Sequence, residues 1–179
     1  MFVMKGKWIY IIAALLLTGV TVLYFGLKND DVLIRKDFKG NLFSSSDFST
    51  NLICYEDLIG LSTDGAFFDF YEYEIDGLQE SSLKGNYPKF EKVFEFSDLT
   101  NVNFSYWKQT PIPREKGVYH FDIAYSSNLS NSDCPLEFQR KDLLSQSGSY
   151  YSYISAYPIG VYLLIYYPAE ETLYVISKK

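Results

Sequence analysis

The chain begins with a long apolar segment, Trp8 to Leu27 (WIYIIAALLLTGVTVLYFGL), which carries no charge and is flanked by lysines. A helix of about 20 apolar residues crosses the hydrocarbon core of a bilayer. A helix buried in a soluble core would show polar residues along one face, whereas only Thr18 and Thr21 are polar here. The pattern predicts a transmembrane helix at 8–27, after a short basic tail at 1–7.

A cleaved export signal is the main alternative to an uncleaved anchor. Such a signal has an apolar stretch of about 7–15 residues and ends in small residues at a cleavage site. The apolar run is longer than that, and Tyr24, Phe25 and Leu27 occupy its end. No cysteine follows Leu17-Thr18-Gly19, which excludes a lipoprotein signal. The sequence therefore favours an uncleaved, single-pass anchor.

Basic residues on both sides of the span leave its orientation open. Two lysines precede the span, and four Lys or Arg residues follow it within about 15 residues. This count mildly favours a cytoplasmic C-terminal domain under the positive-inside rule. The short basic tail is instead typical of an export signal. We expect a cell-membrane protein whose C-terminal domain lies outside the cytoplasm.

The remaining apolar and polar positions predict a polar, serine-rich tether at 28–50 and one globular domain at 51–179. Strands are predicted at 66–76, 150–156, 161–167 and 172–176, with weaker strands at 92–96 and 102–107 and the cleanest alternation at 118–125. Residues 51–61 fit either a strand or a short helix, and Asp133 with Pro135 is typical of a helix start. The pattern predicts an α+β fold, in which the N-terminal transmembrane helix precedes one mainly antiparallel β-sheet domain with one or two helices.

Composition supports a sheet and limits the class of partner. Aromatic residues make up 18% of the chain, with 17 Tyr and 14 Phe, and these residue types favour strands. Residues 29–179 contain 22 acidic and thirteen basic residues, a formal charge of −9. This balance argues against nucleic-acid binding, which needs basic patches. It suits a basic protein partner, although acidity also serves solubility alone.

The only two cysteines, Cys54 and Cys134, are predicted to form a disulfide if the domain is exported. The bond would close a loop of about 80 residues, worth about 4 kcal/mol in the chain-entropy model. In the cytoplasm they would instead be two buried thiols. No C-x-x-C occurs, so neither thioredoxin-type chemistry nor a cysteine zinc site is supported.

Three carboxylates, Glu72, Glu74 and Asp76, alternate along the strand predicted at 66–76 and should share one of its faces. They fit a solvated face or a docking ladder for a basic partner. A glycosidase acid pair needs a cleft between its carboxylates, and a calcium loop needs closely spaced carboxylates around a glycine. Neither requirement is met, and no metal site or cofactor is predicted.

Two other side chains are candidate contact residues. His120, the only histidine, should share a strand face with Asp122, but no G-x-S-x-G elbow supplies a nucleophilic serine. Trp107, near Pro111 and Pro113, fits either an aromatic binding platform or a side chain packed against the sheet. Phosphate-binding glycine loops are absent from the sequence as well.

These observations favour a non-catalytic, membrane-anchored domain that binds another protein. An immunity protein that neutralises a toxin at the cell envelope is one concrete form. The candidate partner-binding residues are Glu72, Glu74, Asp76, His120 and Trp107. An accessory subunit of a membrane complex fits the same features. A carboxylate-dependent envelope hydrolase would require an acid with a raised pKa in a pocket.

Overall fold

The computed structural model describes residues 38–60, 65–113, 122–126, 129 and 132–179. Within this part of the chain, Lys39–Lys179 belong to one compact unit. The transmembrane helix predicted at 8–27 lies outside the described residues. None of the helices that are described is long and apolar enough to cross a bilayer.

Six strands form a single antiparallel sheet. They are β1 (Ser49–Asp57), β2 (Phe68–Asp76), β3 (Thr100–Gln109), β4 (Tyr150–Tyr157), β5 (Gly160–Tyr167) and β6 (Thr172–Lys178). Their order across the sheet is β1-β2-β6-β5-β4-β3, and every neighbouring pair is antiparallel. The mainly antiparallel sheet is thus confirmed. Of the segment 51–61, which fitted two structures, residues 51–57 belong to strand β1.

The helices among the described residues are few and short. They include α1 (Phe38–Leu42), α2 (Phe90–Val93) and α3 (Glu137–Arg140), together with single 3₁₀ turns at Glu80–Leu83, Phe96–Asp98 and Pro168–Glu170. None is long enough to be stable without tertiary contacts. The fold therefore depends on the sheet and on what packs against its two faces.

The central strands β5 and β6 are apolar on both faces because both faces are covered. Along β5, Leu163 and Ile165 point to one face, whereas Leu164 and Tyr166 point to the other, and all four are buried. Strand β6 is buried from Thr172 to Ser177. This confirms the covered central strand predicted at 161–167.

The first face carries the larger described core, under the segments 122–126 and 132–144. Phe138 of α3 packs over β2 and β6. Its ring centroid is 5.8 Å from that of Phe70 in β2 and 5.2 Å from that of Tyr174 in β6. Leu136, Leu143 and Leu144 pack into the same cluster. Burial of these apolar side chains on the sheet fixes the path of the segment above β2 and β6.

Residues that precede the sheet cover part of its second face. The ring of Phe43 stacks on Trp107 of β3, with centroids 5.5 Å apart, and meets Tyr166 of β5 edge-on at 6.2 Å. Leu42, Phe43 and Phe48 are buried, although we expected 28–50 to be a polar tether. The compact unit begins at Lys39, before the start expected at Asn51.

Two predicted strands are wrong where the structure describes them. Residues 92 and 93 belong to helix α2, and the next two residues lead into the 3₁₀ turn at Phe96–Asp98, because Phe90 and Phe94 are one helical turn apart and their rings pack at 6.4 Å. At the end of the predicted 118–125 strand, residues 122–124 are helical. Ile123 and Ala124 are neighbours in sequence and are both buried, which a two-residue period does not produce.

The predicted disulfide between Cys54 and Cys134 is present, with Cα atoms 6.0 Å apart. Cys54 lies in β1 and Cys134 in the segment that leads into α3. The bond therefore links an edge strand covalently to the layer above the first face.

Substitution of Gly160, at the start of β5, tests how closely β5 approaches the end of β6. Its φ is +78°, and an added Cβ would lie 2.3 Å from the Lys178 carbonyl oxygen. Gly85 has a similar φ of +74° but nothing within 4 Å. Gly160→Ala should lower the free energy of unfolding by about 2 kcal/mol more than Gly85→Ala, because only the first adds a clash to the φ strain. Urea unfolding measures both, and equal losses would contradict this approach of the two strands.

Candidate functional site

The structure separates the three carboxylates of β2. All three lie on the first face by alternation, but Glu74 and Asp76 are exposed and Glu72 is only 7% exposed. The register places Glu72 between Cys54 of β1 and Tyr174 of β6. Both neighbours pack against the first-face core, so Glu72 lies at its edge. Two members of the expected ladder therefore face solvent and the third does not.

Glu72 is held in an environment that disfavours its charge. Burial is the main cause that raises the pKa of its carboxyl group. The carboxylates of Glu137 and Glu170 raise this pKa further, and the Arg140 guanidinium lowers it. Its Oε2 is buried and has no hydrogen-bond partner among the described residues. A buried carboxylate without a partner destabilises the fold unless it is protonated or receives a donor.

The basic groups near Glu72 are engaged with other acids. Arg140 Nη1 lies 2.9 Å from Glu137 Oε1, and Lys141 Nζ is 3.9 Å from Glu137 Oε2. Lys141 also pairs with Glu170, a contact that raises the pKa of the lysine. These ion pairs lie at the surface and contribute little stability. Among the described residues, no group of three or more His, Cys, Asp or Glu is arranged to hold a metal ion.

The excess negative charge of the domain is confined to one stretch of sequence. Residues 40–83 contain nine acidic residues and no Lys, Arg or His. Residues 84–179 contain ten acidic and ten basic residues, so their formal charges cancel. The acidic stretch includes β1 and β2, which we call the acidic hairpin. Sequence reasoning missed this segregation because the charge was summed over the whole domain.

The acidic hairpin also exposes large apolar side chains. Leu52 and Ile53 of β1 are 42% and 52% exposed, and Ile59 just after the strand is 42% exposed. Tyr55 is at the surface, where its hydroxyl donates to Asp69 Oδ1 at 3.3 Å and its ring lies 4.8 Å from Tyr71. Apolar side chains grouped beside charges are typical of an interaction surface.

Strand β1 is held in place at its first-face side by three contacts with the segment 132–134. Besides the disulfide, Glu56 Oε2 accepts hydrogen bonds from the Ser132 hydroxyl and from the Asp133 N–H, the latter at 3.0 Å. At the end of the strand, Asp57 Oδ1 accepts a hydrogen bond from the Gly60 N–H at 2.7 Å. The edge strand and its exposed side chains are thus fixed before any partner arrives.

The two other candidate contact residues are not part of this surface. Trp107 is buried, donates from Nε1 to the Leu42 carbonyl oxygen at 2.7 Å and stacks on Phe43. Of the two alternatives for Trp107, this placement corresponds to a side chain packed against the sheet and not to an aromatic binding platform. His120 lies outside the described residues, and Asp122 is exposed on the helical turn at 122–124.

No protein-family model, curated protein or solved structure matches the chain.

Glu72→Gln tests the electrostatics of the buried carboxyl. A raised pKa in the folded state means that Glu72 contributes most stability below the pKa of an unfolded Glu, about 4.3. That contribution is lost as the pH rises through the folded pKa. Glu72→Gln should therefore raise the free energy of unfolding at pH 7 by about 1 kcal/mol, with little effect near pH 4.

Glu74→Gln is the matched control, since Glu74 is exposed on the same face of the same strand. It should change the pH profile of urea unfolding little. Equal profiles for the two variants would show that Glu72 is solvated in the folded protein.

Proposed function

We propose that this chain is a membrane-anchored, non-catalytic protein-binding domain, held outside the cytoplasm, whose acidic hairpin binds a basic surface of another protein. The observation that carries the proposal is the coincidence, on one preformed edge hairpin, of the domain's excess negative charge with exposed Leu52, Ile53 and Ile59. A solubilising surface needs the charge but not the apolar side chains.

The charge distribution supports recognition of a basic partner. Glu74 and Asp76 are exposed, and no ion pair between described residues involves either of them. Concentrated charge of one sign steers an oppositely charged protein and raises its association rate. The apolar side chains would then supply the buried part of the contact, since charged rims alone give little affinity.

The expected anchor and the disulfide support a position outside the cytoplasm. Disulfides persist in oxidising compartments and are rare in the cytosol. An anchor at 8–27 would keep the domain at the membrane surface, where a protein entering the cell must pass. The form of this proposal that we favour is an immunity protein, which would neutralise a protein toxin as it reaches the membrane. An accessory subunit would use the same surface for a resident membrane partner.

One observation favours a second candidate, the envelope hydrolase. A general acid needs a raised pKa, and burial raises that of Glu72. Against this role, Glu72 is only 7% exposed, so a polysaccharide would have little access to its carboxyl group. A general acid must come within hydrogen-bond reach of the leaving-group oxygen. Protein binding therefore accounts for more of the described surface.

The double variant Glu74→Lys/Asp76→Lys tests the proposal in the full-length protein, captured with its partners from native membranes in gentle detergent. Reversal of two exposed charges on the hairpin should weaken partner capture by about tenfold, and the remaining complex should be less sensitive to salt. Glu91→Lys/Asp98→Lys makes the same change in charge at exposed residues outside the hairpin and should leave capture unchanged.

Mass identification of the captured protein separates the forms of the proposal. A stoichiometric resident subunit indicates an accessory role, whereas a toxin of foreign origin indicates immunity. Equal capture by both double variants would reject the acidic hairpin as the binding surface.

A further inference from the structure

Strand β1 is one edge of the sheet that the described residues form. Among the described residues it pairs with β2 alone. The opposite edge, β3, is partly occupied, since the Trp107 N–H donates to the Tyr87 carbonyl oxygen at 2.8 Å. Natural edge strands are often protected by lysine or proline, and β1 contains neither.

Two hydrogen bonds fix which backbone groups of β1 point away from β2. The Leu58 N–H donates to the Phe68 carbonyl oxygen at 2.8 Å, so the backbone N–H and C=O of Leu58 point towards β2. The Ile75 N–H donates to the Glu171 carbonyl oxygen at 2.6 Å, so the backbone N–H and C=O of Ile75 point away from β1. Along an antiparallel pair, residues whose backbone groups point inward alternate with residues whose backbone groups point outward.

The register of β1 against β2 has a one-residue shift between Leu52 and Cys54. With this shift included, the alternation counted from Leu58 and the alternation counted from Ile75 give the same set of outward residues. The residues whose N–H and C=O point outward are Thr50, Leu52, Tyr55 and Asp57.

We infer that the partner adds an extended segment to this free edge of β1 as a further strand, and that this segment alternates basic and apolar residues. The inference rests on the proposed function and specifies its mode of binding. Outward N–H and C=O groups on a preformed edge are the element that strand addition uses. Side chains of the added strand would then meet those of β1 on each face.

The two faces of the edge differ in chemistry, which sets the alternation of the added strand. On the first face stand Glu56 of β1 and, one strand further in, Glu74. On the second face stand Leu52 and Tyr55. A strand with lysine or arginine on one face and apolar residues on the other would match both.

A synthetic peptide of about ten residues, alternating lysine and valine, serves as the probe. Full-length protein in gentle detergent is titrated with the peptide, and hydrogen exchange is measured at single amides. Strand addition should slow exchange at the outward amides of Thr50, Leu52, Tyr55 and Asp57 by about tenfold or more, with smaller changes at the inward amides. A peptide of alternating glutamate and valine is the charge control and should not bind.

Leu52→Pro and Leu52→Ala separate the backbone from the side chain. Both remove the exposed leucine, but only proline removes the outward N–H and places a ring where the added strand would lie. Leu52→Pro should weaken peptide binding about tenfold relative to Leu52→Ala. Unchanged urea unfolding of both variants confirms that the fold is kept.

The outcomes distinguish failure of this inference from failure of the proposed function. Peptide binding without protection of the outward amides, and with equal affinity for both Leu52 variants, overturns strand addition and leaves side-chain docking on the hairpin. Absence of binding by the basic peptide overturns strand addition by an alternating basic and apolar segment, whereas the proposed function fails only if Glu74→Lys/Asp76→Lys captures the partner as well as Glu91→Lys/Asp98→Lys does. Outward amides that are already protected in a dimer without peptide would assign the edge to a second copy of the chain and overturn the inference.

Discussion

The attachment of strand β1 to the rest of the domain is the constraint on which the candidate site depends. An edge strand has one hydrogen-bonded neighbour, and a strand with several exposed apolar side chains gains little from burial. The Cys54–Cys134 bond and the hydrogen bonds accepted by Glu56 tie β1 to the segment above the first face. A strand fixed in this way loses less conformational entropy when it binds, which favours affinity through preorganisation.

Charge segregation and burial act together at the acidic hairpin. Its acids repel one another, and the exposed members keep their hydration, so the repulsion is moderate in water. Glu72 is the exception, because the cover above β2 removes its carboxyl from solvent without a donor for Oε2. Such a group lowers stability at neutral pH.

Local sequence patterns predicted the strands that are buried on both faces, but they did not predict the elements whose burial depends on distant residues. Strands β5 and β6 were predictable because their apolar residues face covered surfaces on both sides. The helical turn at 122–124 was not, because Ile123 and Ala124, which an alternating strand would place on opposite faces, are both buried. The burial of Glu72 depends on Phe138 and its neighbours, about 65 residues away in sequence, and no local pattern contains that information. The acidic stretch at 40–83 can be found in the sequence from the positions of the charged residues, but not from the net charge of the whole domain.

Hydrogen exchange at single amides in the free, full-length protein tests most directly whether β1 is a formed strand with an open edge. A preformed β1 with an open edge should show slow exchange at the inward amides of Cys54, Glu56 and Leu58, fast exchange at the outward amides of Leu52 and Tyr55, and slow exchange throughout β5. Fast exchange along all of β1 would mean that the edge strand is not preformed. Slow exchange at the outward amides as well would mean that the edge is already covered, and either result would contradict a preformed, open edge.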